Sequence, residues 1–452
     1  MRILPVADSH DEVSLVLIAP RSRCVLVSRS ADGYRLPSAP LSFGRLASSL
    51  TQAVESKYGL PTIQLALHSR EQSSILAVHE VRSTAVQDSG MVAIDLNELG
   101  REVLQDEERN LVRLILDGGD ASQGRFARVG WIDELLDRIG PYLAQRGQRA
   151  TGLFRHFNAG IDFSLLWIHT DSGPNLWFKA VGEPNTREFA ITIELARAFP
   201  AYLPRIVCAM PDWNAWLAED AEGYSLGAAG NMNDVAVTLR ALARIQQEAI
   251  GSVARLRLLD AVDWPLSRLL SLEGDFFAEL PVIMAAQVST RSHRLTTFDL
   301  ALVQAGLQNA LAEFVAIGIP DSLVHGDIGH GNVRITGDGP VFLDWAETYI
   351  GHPFLTAEHL LVDLERSTLN LEQEQREQLR EMYLAEWKGF AGESDLATAA
   401  RLMPAIAAFA YAIMVWHMGR QTSPGQQRTW PLLRSLVRRI KMELEQAVGV
   451  PA

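Results

Sequence analysis

The feature that most constrains the fold is a set of polar positions inside apolar, strand-like runs. In the stretch LVHGDIGHGNVRI, Asp327 and Asn332 stand five positions apart, and the flanking residues suit buried strands. A second aspartate, Asp344, follows in the apolar run VFLDW. Charged and amide side chains are uncommon in such runs unless they are paired or bind a ligand. These three residues are therefore candidates for a functional site.

The order of strand-like and helix-like segments predicts three regions. Residues 1–145 mix short β-rich runs with one helix-like segment, which ends at Gly59 before Pro61. Residues 146–222 contain hairpin-like strands and a helix, whereas residues 223–452 are predominantly helical apart from the strands around the HGD segment. We therefore expect an α+β chain in which a small mixed lobe precedes a large helical lobe.

The composition limits the class of protein and of partner. The 452 residues are 48% hydrophobic and 21% charged, and the formal net charge is −13. This charge argues against nucleic acid or an anionic membrane as the partner and suits a small molecule, a cationic one included. The two cysteines, Cys24 and Cys208, have no metal-ligand spacing and favour a reducing compartment. We expect a cytoplasmic protein in which the apolar run from Leu402 to Trp416, interrupted by Pro404, is a buried helix rather than a membrane span.

The three polar residues match the parts needed for phosphoryl transfer from a nucleotide. That reaction needs a carboxylate for the proton of the acceptor hydroxyl, and an amide and a second carboxylate for magnesium. Asp327 and Asn332 have the spacing of a kinase catalytic loop, and Asp344 comes from the strand that follows, where the metal-binding aspartate is expected.

Other residues would support these three. Lys179, at the end of the strand-like run LWFKAV, would reach the phosphates, and the next helix carries Glu188 and Glu194. We favour Glu188 as the partner of the lysine because it lies in the first helical turn. His325 is expected to brace the loop by hydrogen bonding, and His330 to be an exposed loop residue.

The HGD loop, its asparagine and the following Asp-Trp pair resemble the aminoglycoside phosphotransferase and choline kinase branch of the protein-kinase-like fold. The resemblance covers roughly residues 150–450. It implies a bilobal kinase that phosphorylates a hydroxyl group of a small molecule with ATP or GTP and Mg²⁺, with antibiotic resistance as one role. By position, Asp327 would be the catalytic base, Asn332 and Asp344 the metal ligands, and Lys179 the phosphate-binding lysine with Glu188 as its partner.

The same resemblance implies that backbone groups at the passage from the strands to the helical lobe hold the adenine. The segment WLAEDAEG occupies that place, so Glu219, Asp220 and Ala221 are the expected nucleotide contacts. No GxGxxG loop precedes Lys179, which argues against a protein kinase rather than against the fold. A kinase of a sugar, an amino alcohol or a peptide antibiotic stays open, as does a nucleotide-binding pseudokinase module.

Residues 1–145 resemble a Nudix hydrolase core, with a strand, a Leu-Pro turn, a loop and a helix that ends in Gly59-Leu60. Aligned there, a Nudix box requires Gly at position 38, Arg at 52, and Glu at 44, 53, 56 and 57. The chain instead has Ser38, Gly44, Gln52, Ala53, Ser56 and Lys57. Because these residues cannot hold magnesium, we expect a separate, degenerate and non-catalytic α/β domain. An unrelated α+β cap domain is the alternative.

Overall fold

The computed structural model describes residues 12–19, 22–31, 33–40, 46–70, 74–83, 89–119, 124–421 and 426–448. The chain divides into two compact units, and it enters each of them twice. The first unit comprises Met1–Phe189 and Arg205–Asp220, and the second comprises Ala190–Pro204 and Ala221–Ala452. Gly44 of the Nudix comparison lies outside the described residues.

Strands dominate the first unit because short runs rich in Val, Ile and Leu alternate with turn residues. Its helix α1 ends as predicted, since Gly59 has a φ of +67° and its amide donates to the carbonyl of Glu55 (2.9 Å). The elements up to residue 220 are β1 (Glu12–Ile18), β2 (Cys24–Ser30), β3 (Gly33–Arg35), β4 (Ser38–Pro40), α1 (Leu46–Tyr58), β5 (Thr62–Ser69), β6 (Ile75–Val81), β7 (Val92–Asp95), α2 (Asp106–Leu116), α3 (Trp131–Gln145), β8 (Ala150–Gly160), β9 (Phe163–Thr170), β10 (Leu176–Ala180), α4 (Glu188–Ala198), β11 (Ile206–Met210) and β12 (Ala215–Glu219).

These strands form two sheets. A seven-stranded sheet has the order β3-β2-β1-β6-β5, with β4 paired to β1 and β7 paired to β2. A five-stranded antiparallel sheet has the order β11-β12-β10-β9-β8. Side chains of β9 alternate between buried and half-buried, as expected for a strand with one face on the core. The turn DSGPN joins β9 to β10, as its Asp, Gly and Pro residues predict.

One hydrophobic core lies between the sheets of the first unit. It contains Val16 from the seven-stranded sheet, Trp131 from α3 and Phe178 from the five-stranded sheet. The boundary expected near residue 145 therefore lies inside the first unit, because the residues before and after it bury the same core. The likeness of the N-terminal part to a Nudix domain stays a prediction.

Helices dominate the second unit, and two three-stranded sheets have the orders β13-β16-β17 and β14-β18-β15. The strand next to the HGD loop, β15, pairs with β18, whereas β16, which follows the loop, pairs with β17. The mixed α+β class, sheet-rich before the helical part, is confirmed. The elements from residue 221 are β13 (Tyr224–Ser225), α5 (Leu226–Ala229), α6 (Met232–Ala249), α7 (Val253–Arg257), β14 (Val262–Asp263), α8 (Leu266–Ala285), α9 (Thr297–Ala316), β15 (Ser322–Val324), β16 (Val333–Thr336), β17 (Gly339–Phe342), β18 (Tyr349–Gly351), α10 (Phe354–Glu365), α11 (Gln373–Ala385), α12 (Glu393–Gln421) and α13 (Gln426–Ala447).

Helix α12 is much longer than the apolar run that predicted it, and Pro404 lies inside it. By length and composition alone, Glu393–Arg420 could cross a membrane, with a mean hydropathy of 1.6. However, 72% of its most apolar window is buried inside the protein. Met403, Phe409 and Ile413 all belong to the core of the second unit. Such burial is typical of the central helix of a globular unit.

Candidate active site

Lys179 lies in β10, between β9 and β12 of the five-stranded sheet. Its Nζ is 2.5 Å from Oε1 of Glu188, the first residue of α4, and 5.8 Å from the centroid of the Trp216 ring. Glu188 is only 1% exposed, so the ion pair is enclosed on the carboxylate side. The helix dipole also favours a carboxylate in the first turn. The ammonium group is therefore held in one place by a carboxylate that is itself fixed.

The alternative partner, Glu194, binds arginines instead. Its carboxylate is 2.6 Å from Nη2 of Arg197 and 3.6 Å from Nε of Arg255. The hydrogen bond from Arg197 lowers the pKa of Glu194. Of the two acids on this helix, the structure thus pairs Glu188 with Lys179.

A glycine turn carries Asp327 out of strand β15. The chain reverses at Gly326, which has a φ of +78°. A Cβ there would also collide with the backbone carbonyl of Glu347, so no other residue fits without a shift of the backbone. Asp327 is consequently exposed, while Ile328, which follows it, is buried. The turn presents a carboxylate on an otherwise apolar support.

His325 braces this turn. Its Nε2 donates to the carbonyl of Leu343 (2.8 Å), and its ring centroid is 4.5 Å from that of Trp345. Its backbone amide donates to Oγ1 of Thr356 (3.4 Å). With 1% of its surface exposed, His325 supports the loop instead of offering a proton to a substrate.

Asn332 and Asp344 lie close to Asp327 through short backbone links. Asn332 ends a single 3₁₀ turn, and its Nδ2 donates to the carbonyl of Asp327 (2.9 Å). The amide of Leu343 donates to the carbonyl of Asn332 (2.8 Å), which places Asp344 next to the loop. Asp344 lies two residues beyond β17, not within a strand as predicted, and has a φ of +62°. This conformation is costly outside glycine and clusters at functional sites.

The carboxyl of Asp327 titrates at a higher pH than an ordinary aspartate. Partial burial against the loop is the largest cause of its raised pKa, although one side of the carboxyl is open to solvent. The negative charges of Asp344, Glu347 and Asp363 add to this effect. A carboxylate of raised pKa is a better proton acceptor once it is ionised.

The oxygen atoms around this loop fit a magnesium ion. The hydrogen bond to Asp327 uses the amide nitrogen of Asn332, so its Oδ1 is the atom that could bind a cation, and Asp344 adds an exposed carboxylate. A divalent cation would also relieve the repulsion among the acids. Within the described residues, no group of three or more His, Cys, Asp or Glu side chains forms a metal site by itself. Magnesium commonly binds through one or two protein oxygens and completes its shell with phosphates and water.

Sequence analysis missed Asp363, which anchors the loop from helix α10. Its Oδ2 accepts hydrogen bonds from the backbone amide and from Nδ1 of His330, each at 2.6 Å. His330 is therefore a half-buried anchor of the loop and not the exposed residue that was expected. The only signal in the sequence is an acidic residue in the largely apolar run HLLVDLE.

A cavity of about 220 Å³ opens beside Asp327, within the second unit. Helices α10, α12 and α13 form its walls, and Ala407 and Ala408 leave space on the α12 side. Asp363, Arg366 and Tyr411 supply polar groups. Pockets for drug-sized ligands are usually about 300–1,000 Å³, so this cavity suits a smaller compound.

The segment expected to hold adenine lies where the chain passes from the first unit to the second, between Asp220 and Ala221. The amides of Glu219 and Asp220 donate to the carbonyls of Arg205 (2.9 Å) and Asn175 (2.7 Å). Two of the three expected backbone donors are therefore already used. A nucleotide base at this segment would have to rely on the remaining backbone groups.

Comparison with known proteins gives a family and several solved structures. Residues 187–402 match the phosphotransferase enzyme family, APH. A choline/ethanolamine kinase family protein from Mesorhizobium loti is 14% identical, with a TM-score of 0.44 and coverage of 70% of this chain and 99% of that one. A macrolide 2'-phosphotransferase from Brachybacterium faecium is 14% identical, with a TM-score of 0.42 and coverage of 71% of this chain and 99% of that one. The aminoglycoside 2'-phosphotransferase-IIIa of a GDP complex is also 14% identical, with a TM-score of 0.42 and coverage of 69% of this chain and 98% of that one.

The curated proteins include no sequence that matches this chain. The family match includes Glu188 and every candidate residue of the second unit, from Ala221 to Asp344. This match confirms the resemblance to small-molecule phosphotransferases that the HGD loop indicates. Residues 187–402 are thus the part of the chain that is similar to the phosphotransferase enzyme family.

Proposed function

We propose that this enzyme transfers a phosphoryl group from ATP or GTP to a hydroxyl group of a small molecule. The observation that carries the proposal is the convergence of Asp327, Asn332 and Asp344 on one turn, beside a cavity and within the family-matched segment. A general base, oxygen ligands for a cation and space for an acceptor are the parts that this reaction requires.

In the proposed reaction, Asp327 accepts the proton of the acceptor hydroxyl. The acceptor oxygen forms a bond to the terminal phosphorus, and the bond from that phosphorus to the bridging oxygen breaks, so the nucleoside diphosphate leaves with the electron pair. The raised pKa of Asp327, caused first by partial burial and then by the neighbouring acids, supports this role because it increases the basicity of the carboxylate. Gly326 and His325 keep the carboxylate in position.

Lys179 would bind the nucleotide phosphates, with Glu188 holding its ammonium group. Glu219, Asp220 and Ala221 would meet the base, within the limits set by their engaged amides. Asn332 and Asp344 would hold Mg²⁺, which neutralises phosphate charge when bound.

Two alternatives to the proposed function need to be tested. One is a kinase whose acceptor is a different metabolite or an antibiotic. If the acceptor is an antibiotic, resistance would be the biological role. The other is a nucleotide-binding module without catalysis. The ion pair of Lys179 with Glu188 and the exposed carboxylate of Asp327 favour a catalyst, because a binding module could lose them freely. We also propose a cytoplasmic location and no nucleic-acid or membrane partner, in line with the acidic charge.

Nucleotide consumption by the full-length protein, measured across a panel of metabolites and antibiotics with Mg²⁺, tests the proposal. At least one hydroxyl compound should stimulate consumption, and Asp327→Asn should lower turnover by about 10²–10⁴-fold with nucleotide affinity nearly unchanged. Asp338→Asn, in the exposed turn between β16 and β17, is the matched control and should behave as wild type. Equal turnover of Asp327→Asn and wild type would contradict the proposed base.

A further inference from the structure

Within the part of the chain that the structure describes, one cation on the wall of the cavity beside Asp327 has no side-chain partner. Arg366 follows the last residue of α10, and its backbone amide donates to the carbonyl of Asp363 (3.1 Å). Its side chain is exposed and lines the cavity. Among the residues that the structure describes, its guanidinium group has no ion pair or hydrogen bond.

One acidic group of the cavity wall, Glu358, is in contrast compensated by arginines. Glu358 is 1% exposed and accepts two hydrogen bonds from Arg380, from Nε at 2.8 Å and from Nη2 at 3.1 Å. Arg439 is 3.9 Å from the same carboxylate and 3.3 Å from Glu443, so these four charges balance. A cationic ligand would gain little from Glu358 because that charge is already neutralised.

Asp363 is engaged as well, through the two hydrogen bonds from His330. Tyr411 lines the same cavity. Burial is the largest cause of its raised pKa, the charge of Asp327 raises it further, and the charge of Arg366 lowers it. A ligand in this cavity would therefore have both Asp327 and Arg366 in its walls.

We propose that the acceptor is a small hydroxy acid, whose carboxylate binds Arg366 while its hydroxyl lies at Asp327. The inference rests on the proposed function for the role of Asp327, and it names the substrate class of that site. It replaces the cationic acceptor that the acidic net charge had suggested. Arginine presents planar, paired N–H donors that match a carboxylate, and a charge-assisted hydrogen bond is stronger than a neutral one. The cavity volume of about 220 Å³ fits a compound of this size.

Three probes with nearly the same carbon skeleton test the charge preference: gluconate, glucose and glucosamine. Calorimetry with the full-length protein at matched ionic strength should show gluconate binding at least about tenfold more tightly than glucose, and glucosamine binding most weakly. Arg366→Gln should remove this order. Arg401→Gln is the matched control, because Arg401 is an exposed arginine of α12 that pairs with Glu313 away from the cavity, and it should preserve the order.

Tightest binding of glucosamine, binding of none of the three probes, or an unchanged order in Arg366→Gln would each overturn the inference. Failure of the proposed function would look different. It would appear as loss of magnesium-dependent nucleotide binding in a separate titration without any probe, and a gluconate preference that depends on Arg366 could still be observed. The two failures are therefore distinguishable in the same protein preparation.

Discussion

Asp327 combines exposure to solvent with a neighbourhood of negative charge. Its carboxyl can meet an acceptor because Gly326 turns it outward, and its pKa is raised by partial burial and then by Asp344, Glu347 and Asp363. An aspartate in this setting ionises at a higher pH than usual. Since only the ionised form can accept a proton, activity should be lost as pH falls through the raised pKa.

Replacing Glu347 tests this electrostatic effect. Glu347→Gln removes one of the charges that raise the pKa of Asp327, so that pKa should fall. The acidic limb of kcat/KM should therefore move to lower pH, and a pH–rate profile measures the shift. Asp338→Asn should leave the limb in place. A limb in Glu347→Gln that coincides with that of wild type would mean that a different group controls it.

The enclosed ion pair of Lys179 with Glu188 gives a second prediction about a single residue. Glu188→Gln leaves the ammonium group without its charged partner, so nucleotide affinity should fall by roughly 10–100-fold, the value of one hydrogen bond between charged groups. Glu194→Gln, on the same helix, is the control and should keep wild-type affinity, because Glu194 binds Arg197 and Arg255. Equal nucleotide affinities of the two variants would remove Glu188 from the site.

Among elements, helix α10 connects the catalytic loop with the helices behind it. Asp363 holds the loop through His330, and Glu358, about one and a half turns earlier on the same helix, binds Arg380 of α11. Strand β15 has its own support, since Nε2 of Gln246 in α6 donates to the carbonyl of Leu323 (3.2 Å). The loop is thus fixed from two helices that are distant in sequence.

Breaking the pair between α10 and α11 should destabilise the second unit. Glu358→Ala leaves Arg380 buried without its carboxylate, and loss of one partner of a buried pair costs about 3–5 kcal/mol. The double variant Glu358→Leu with Arg380→Met should recover most of this free energy of unfolding, because no uncompensated charge remains. Chemical denaturation measures both values. A double variant as unstable as Glu358→Ala would show that the pair stabilises by more than mutual compensation.

Spacing along the chain made Lys179, Asp327, Asn332 and Asp344 candidates, because a kinase-type reaction needs these groups in a fixed order. Spacing could not identify Arg366, which reaches the site only through the packing of α10. The domain boundary near residue 145 stays a prediction, since an apolar strand face looks the same in sequence whichever sheet covers it. Helix α1 was predicted from its period and its Gly59 end, whereas helix α2 (Asp106–Leu116) and strand β5 (Thr62–Ser69) were not.

At the scale of the whole molecule, buried neutral histidines make the fold sensitive to acid. Burial lowers the pKa of His79 to about 3, helped by His156, and that of His156 to about 4, both in the first unit. Burial likewise lowers the pKa of His352 in the second unit to about 3. In the unfolded chain each would titrate near 6.5, so the unfolded state binds more protons below that pH.

Stability should therefore be complete above about pH 6.5 and decline as pH falls toward 3–4, by about 1.4 kcal/mol per pH unit for each histidine. His156→Gln should reduce the slope of unfolding free energy against pH, measured by denaturation between pH 7 and 4.5. His293→Gln, at an exposed position, should not change the slope. The same slope in His156→Gln as in wild type would contradict this account.

The most direct test of the central claim, a magnesium-dependent kinase site, is the calorimetric affinity for ATP and GTP with and without Mg²⁺. Asp344→Asn is the variant of choice, because asparagine tolerates the φ of +62° and keeps the size of the side chain while removing the charge. Wild type and Asp338→Asn should bind at least one nucleotide far more tightly with magnesium, and Asp344→Asn should lose most of that gain. Equal magnesium dependence in Asp344→Asn and wild type, or none in wild type, would contradict the assignment of this site.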